Sequence, residues 1–210
     1  YQDQRYGERF MGLVASARSV EARLWPGGTA FSEAVAASLH KVMAYKDEYE
    51  VARLYTAPAF RAQLESAFED KPRLAFNLAP PMISRTDPST GKPVKREFGG
   101  WMLGAFGVLA RLKFLRGTAF DLFGHTEERR MERALVKRYE QLVRQLLEEA
   151  GAGDETMAVR IASLPLQVRG FGHVKAAAME RFERELANAM ASWGSRGRSP
   201  VSPSDARMQL

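Results

Sequence analysis

The 210-residue sequence has no cysteine. Disulfides, Cys-ligated zinc, a thiolate nucleophile and a conventional iron–sulfur cluster are therefore excluded from this segment. Histidine is scarce. His40, His125 and His173 are all there are, and none has a second His or a carboxylate at a metal-ligand spacing such as H-E-x-x-H, so no metal site is expected. Long hydrophobic runs are missing too. Nothing approaches the roughly 20 apolar residues that cross a bilayer. The start, Tyr1-Gln2-Asp3-Gln4, has no initiator Met and no basic stretch leading into an apolar one. No signal peptide is expected, and a piece trimmed from a longer polypeptide is.

Catalytic signatures are also lacking. There is no phosphate-binding P-loop and no nucleophile elbow. Gly170-Phe171-Gly172 opens like a dinucleotide fingerprint, but Lys175 holds the third glycine's place and no strand precedes it. Paired carboxylates such as Asp47 and Glu50 do acid–base work only in a cleft, which a sequence does not reveal. No residue is assigned a catalytic role.

Hydrophobic residues make up 45% of the chain and charged residues 27%, a globular balance that supports a core. The net charge of +6 is uneven. From Arg85 to Arg116 seven cations face two acids, so this stretch holds nearly the whole excess. Nucleic-acid binding would need aromatics interleaved with those cations to stack bases. Phe98 and Trp101 only follow the run, so nucleic acid is not an expected partner; without a long apolar run, neither is a membrane.

The periodicity predicts a mainly α fold of about six to seven helices with a small β-hairpin insertion. Tyr6, Phe10, Leu13, Ala17, Val20 and Leu24 form one apolar stripe, and Pro26-Gly27-Gly28 ends it. A second helix starts near Ser32 and carries Val35, Leu39, Val42 or Met43, Tyr49 and Ala52. The run Tyr45–Glu50 reads on it as a solvated face with intrahelical pairs. Pro58 begins a third helix through Phe60, Leu64 and Phe68. Leu74, Phe76 and Leu78 alternate as a short strand. Met82–Arg85 and Pro93–Phe98 are candidate hairpin arms around Asp87–Lys92. Trp101–Arg116 reads as a helix with Phe106 and Phe114 inward, stopped by Gly117. Thr126 caps a long helix with the stripe Met131, Leu135, Tyr139, Leu142 and Leu146. Asp154 caps a short one ended by Pro165, and a final helix runs through Val174, Phe182, Leu186 and Trp193. The expected organisation is a helical accessory domain over 1–193, with its hairpin near 74–98, and a disordered tail over 194–210.

The segment Arg169-Gly170-Phe171-Gly172-His173-Val174-Lys175 has two readings. Two glycines admit a ligand to backbone amides, with cations on either side, which suits an anion at a helix start. The plainer reading is a helix–helix connection, the commoner use of glycine. The candidate ligand-binding residues are Arg169, Gly170, Gly172, His173 and Lys175, with Arg96 from the basic hairpin.

Five stretches taken in order carry a family resemblance: Lys41–Tyr55, Leu78-Ala79-Pro80-Pro81, Lys95–Met102, Glu128–Arg133 and Arg169–Lys175. From the first helix to about Leu186 the chain resembles the C-terminal domain of the fused indolepyruvate ferredoxin oxidoreductases. That resemblance implies a thiamine-diphosphate- and iron–sulfur-dependent enzyme that oxidatively decarboxylates arylpyruvates. The enzyme passes electrons to ferredoxin and the acyl group to coenzyme A. Thiamine diphosphate and clusters are expected in preceding domains, and no cofactor in this segment. The implied setting is cytoplasmic. The implied partners are the catalytic domains of the same enzyme, in a homo-oligomer, with ferredoxin meeting the whole. Two roles follow as expectations: an accessory and assembly domain inactive alone, or an anion-binding domain that holds coenzyme A, phosphate or carboxylate at or over the active site.

Overall fold

A computed structural model describes residues 1–69, 72–79, 87, 94–151, 153–170 and 172–195. Among the described residues the fold is mainly helical with one small antiparallel pair of strands. It divides into two compact units. The first, the hairpin unit, is Tyr1–Gln4 with Ala44–Ala134; the second, the core unit, is Arg5–Met43 with Leu135–Leu210.

The core unit contains α1 (Gln4–Leu24, its first residue excepted), α2 (Ala30–Met43), the later part of α6 (Glu127–Glu149), α7 (Glu155–Ser163) and α8 (Gly172–Ser195). Leu13, Val35, Leu39, Tyr139, Val143, Leu146, Ile161, Phe182 and Trp193 are among its buried residues. Full burial of one such aliphatic side chain stabilises by about 1.5–3 kcal/mol. The α6 stripe expected from sequence is buried from Leu135 onward, while Met131, in the hairpin unit, is exposed. The α1 stripe drifts: Leu13, Ala17 and Glu21 face inward, and Val20 is only partly covered. An acid ends an apolar stripe because it has a task. The Glu21 carboxylate accepts from the backbone N–H of Phe31 (2.7 Å) and Ser32 (3.3 Å) and from the Ser32 hydroxyl. It thus satisfies the open N-terminus of α2.

The hairpin unit contains α3 (Glu48–Thr56), α4 (Pro58–Ala67), β1 (Ala75–Leu78), β2 (Arg96–Gly99), α5 (Met102–Arg111) and the opening of α6. The helix expected from Ser32 to Ala52 is two helices. Asp47, in extended backbone, accepts from the Glu50 N–H at 2.8 Å and starts α3 afresh. The apolar stripe runs on past this break, so spacing alone hides it. β1 pairs with β2, Phe76 opposite Phe98. The strand ending at Phe98 thus finds its partner in Ala75–Leu78, and Met82–Arg85 lies outside the described residues. Two short strands alone are marginal. These are supported by Phe76, which meets Tyr55 and Phe106 edge-on, while Tyr55 stacks on Phe106 at 5.3 Å. α5 ends at Arg111 and tightens into a 3₁₀ turn over Leu112–Leu115. That shift turns Phe114 outward, against the expectation, to 69% exposure. Gly117 takes φ +76°, as a helix-stopping glycine does, and Thr126 caps α6 through the Arg129 N–H.

Gly194 and Ser195 belong to α8, and the rest of the expected tail lies outside the described residues. Among the described residues no helix is long and apolar enough to cross a membrane.

Candidate functional site

The densest concentration of polar chemistry lies in the hairpin unit, on the run that the sequence presents as a solvated face. Asp47 is 2% exposed and Arg116 6%. The Arg116 guanidinium grips Asp47 with two hydrogen bonds, Nε to Oδ2 at 2.5 Å and Nη2 to Oδ1 at 2.8 Å. Burial alone would weaken Arg116 as a base, but the contact with Asp47 outweighs it and raises its pKa. Tyr1 lies 4.3 Å and Tyr49 5.7 Å from the guanidinium, ring face toward cation.

Beside this pair, the Tyr49 hydroxyl donates to Asp121 at 3.2 Å. Burial and the Asp121 charge push the phenol up to about 12, so it stays a donor at neutral pH. Asp121 also accepts from the N–H groups of Gly117, Phe123 and Gly124 and so ties the 117–124 loop together. Farther along α6, Arg129 pairs with Glu48 (3.4 Å) and Glu132 and faces Tyr45. Burial would lower its pKa; the two carboxylates raise it instead.

This chemistry holds shape. Asp47 is committed to Arg116 and a helix start, Asp121 to three amides, and Glu50 to Arg53 at 2.6 Å. Each of these carboxylates is thus engaged in holding a loop or a helix in place. Among the described residues no group of three or more His, Asp or Glu side chains is arranged to hold a metal. Sequence reasoning missed the cluster because its halves, Tyr45–Glu50 and Arg116–Glu132, are about seventy residues apart. The usable signal is Asp47 itself, a capping residue beside an acidic first turn.

The ligand-binding residues expected from sequence are divided between the units. Arg96 is an exposed β2 residue of the hairpin unit, in register with Leu78. Arg169, Gly170, Gly172, His173 and Lys175 belong to the core unit. Gly172 and His173 open α8; the His173 side chain and Phe171 lie outside what is described. Gly170 adopts φ +98°, where a Cβ would meet Val174 Cγ1 at 2.6 Å, so only glycine makes this close turn onto α8. Arg169 is exposed and donates from Nε to the Leu166 carbonyl at 3.4 Å. Lys41, which the sequence does not single out, donates to that same carbonyl at 2.6 Å.

No curated protein and no solved structure matches the chain. A family model does, over residues 1–188, and the chain belongs to that family, DUF6537, a family of unknown function.

Proposed function

We propose that this chain is an accessory and assembly domain of a thiamine-diphosphate- and iron–sulfur-dependent arylpyruvate:ferredoxin oxidoreductase, cytoplasmic and homo-oligomeric. The hairpin unit docks on the catalytic domains of that enzyme, which carry the cofactors and meet ferredoxin. The segments that carry the family resemblance support the enzyme class. The observation that carries the docking role is a set of exposed apolar side chains close together in sequence. Trp101 (67%), Phe114, Phe120 (76%) and Leu122 are mostly exposed within one short segment, and Val108 with them. α5 has no charge from Met102 to Ala110. A helix apolar on every side belongs in an interior, yet Trp101, Gly104, Ala105 and Val108 face outward. Exposed apolar side chains concentrated in this way mark interaction surfaces.

The test is the whole enzyme with and without residues 1–193, and with Trp101→Asp plus Phe120→Asp, followed by sedimentation and by turnover of arylpyruvate. Loss of assembly in both forms is expected. Intact assembly with abolished turnover would overturn the reading.

A further inference from the structure

Lys41 closes α2, and Arg169 follows the 3₁₀ turn over Leu164–Gln167; both lie in the core unit. Their side chains converge on one acceptor, the Leu166 carbonyl, from 2.6 Å and 3.4 Å. A carbonyl oxygen carries only a partial charge, so it does not neutralise two full ones. Among the described residues neither cation is paired with a carboxylate. Partial burial and the neighbouring Arg169 charge lower the Lys41 pKa, and no acid offsets them. Arg169 is exposed and Lys41 half-buried, so solvent reaches both. The tight Gly170 turn brings the first turn of α8 against this place: Val174 and the Lys175 N–H lie next to Gly170.

Two adjacent, uncompensated cations on a fixed carbonyl hinge are a receptor for a doubly charged oxyanion. We propose that Lys41 and Arg169 bind a phosphate group, Arg169 through its planar fork and Lys41 as a point charge. A phosphate carries about −1.5 to −2 at neutral pH, which matches the pair; a carboxylate would leave one charge over. The site is independent of the docking face and shares only Arg169 and Gly170 with the anion-binding turn expected from sequence.

The 210-residue chain is titrated by NMR at constant ionic strength with inorganic phosphate, with AMP as a phosphate monoester, and with acetate. Saturable phosphate binding is expected, centred on amides of residues 41 and 166–175. Lys41→Met and Arg169→Gln should each weaken it roughly tenfold, while Lys41→Arg and Arg96→Gln should keep it within about threefold. Tighter binding of AMP assigns the phosphate to a larger ligand, and tighter binding of inorganic phosphate assigns it to the free ion; either supports the site. Equal affinity in Lys41→Met, acetate binding as tight as phosphate, or no saturation by about 20 mM phosphate overturns it.

Discussion

The two units of this chain are stabilised in opposite ways. The core unit buries a long series of aliphatic and aromatic side chains and shows few large apolar groups, Met11 and Val174 among them. The hairpin unit has a buried apolar nucleus of Ala52, Phe76 and Phe106 and leaves Trp101, Phe114, Phe120 and Leu122 outside. Its interior is given instead to Asp47, Arg116, Tyr49, Asp121 and Glu132. Apolar burial is non-directional and tolerates repacking. A buried ion pair contributes little net stability over an apolar core, but it is intolerant of losing one partner. The hairpin unit thus holds one arrangement of its loops with little apolar material, which leaves the apolar side chains for a surface.

The comparison is tested hardest at Asp47. Asp47→Ala leaves the Arg116 charge buried without a counter-ion and should cost about 3–5 kcal/mol. Hydrogen exchange by mass spectrometry localises the loss, because amides of 44–134 should lose protection while the α7 and α8 amides keep theirs. A cost under about 1 kcal/mol would mean that the pair is no keystone. The double replacement Asp47→Leu with Arg116→Met removes both charges and should cost only about 1 kcal/mol, the loss of the α3 cap, which separates the ion pair from the cap.

In the core unit the equivalent injury is a cavity. Leu146 is fully buried, and Leu146→Ala should cost about 2–4 kcal/mol, with loss of protection in α7 and α8. The chain melt read by circular dichroism, together with exchange, checks it. Protection lost equally across both units would erase the contrast.

How much of this was legible beforehand follows the same division. In the core unit the 3.6-residue stripe from Leu135 to Leu146 states which face is buried, because apolar burial is written in periodicity. Glu21 escaped, since an acid at an apolar position reads as a break in the stripe; its purpose depends on the N–H groups of Phe31 and Ser32, ten and more residues on. In the hairpin unit periodicity misled. It carried one helix through Asp47 and turned Phe114 inward. Strand register and the Asp47–Arg116 pair depend on long-range partners that no local window holds. The Gly170 turn was readable because a glycine there has a steric reason, whereas Lys41 joins it from another helix.

Glu21 sharpens the comparison, because it is a fully buried charge within the core unit. Burial would raise its carboxyl pKa, but the hydrogen bonds from Ser32, Phe31 and Arg18 outweigh that and hold it below 4.5. A depressed carboxyl pKa means that the unfolded state binds protons first as pH falls. Its stabilisation is therefore complete above pH 4.5 and fades as pH drops through the lower folded value. Glu21→Gln should cost about 1–3 kcal/mol at pH 7. The gap from the parent should narrow below pH 4.5 in denaturant titrations. A gap constant down to the acid limit would show that the carboxylate's charge has no part in capping α2.

The smallest effect belongs to a pair that resembles Asp47–Arg116 on paper. Arg138 and Glu183 are in contact in the core unit, but both side chains stay substantially open to water, 51% and 37%. Solvent screens their attraction, and ordering two long side chains offsets what remains. Arg138→Ala should change stability by less than about 1 kcal/mol, and the change should vanish in high salt. The same pairing of residue types therefore differs several-fold in consequence between the units, and burial is the cause. If denaturant titrations of Arg138→Ala and Asp47→Ala gave similar losses, burial would not be what distinguishes the two pairs, and the hairpin unit would owe its order to something other than its enclosed charges.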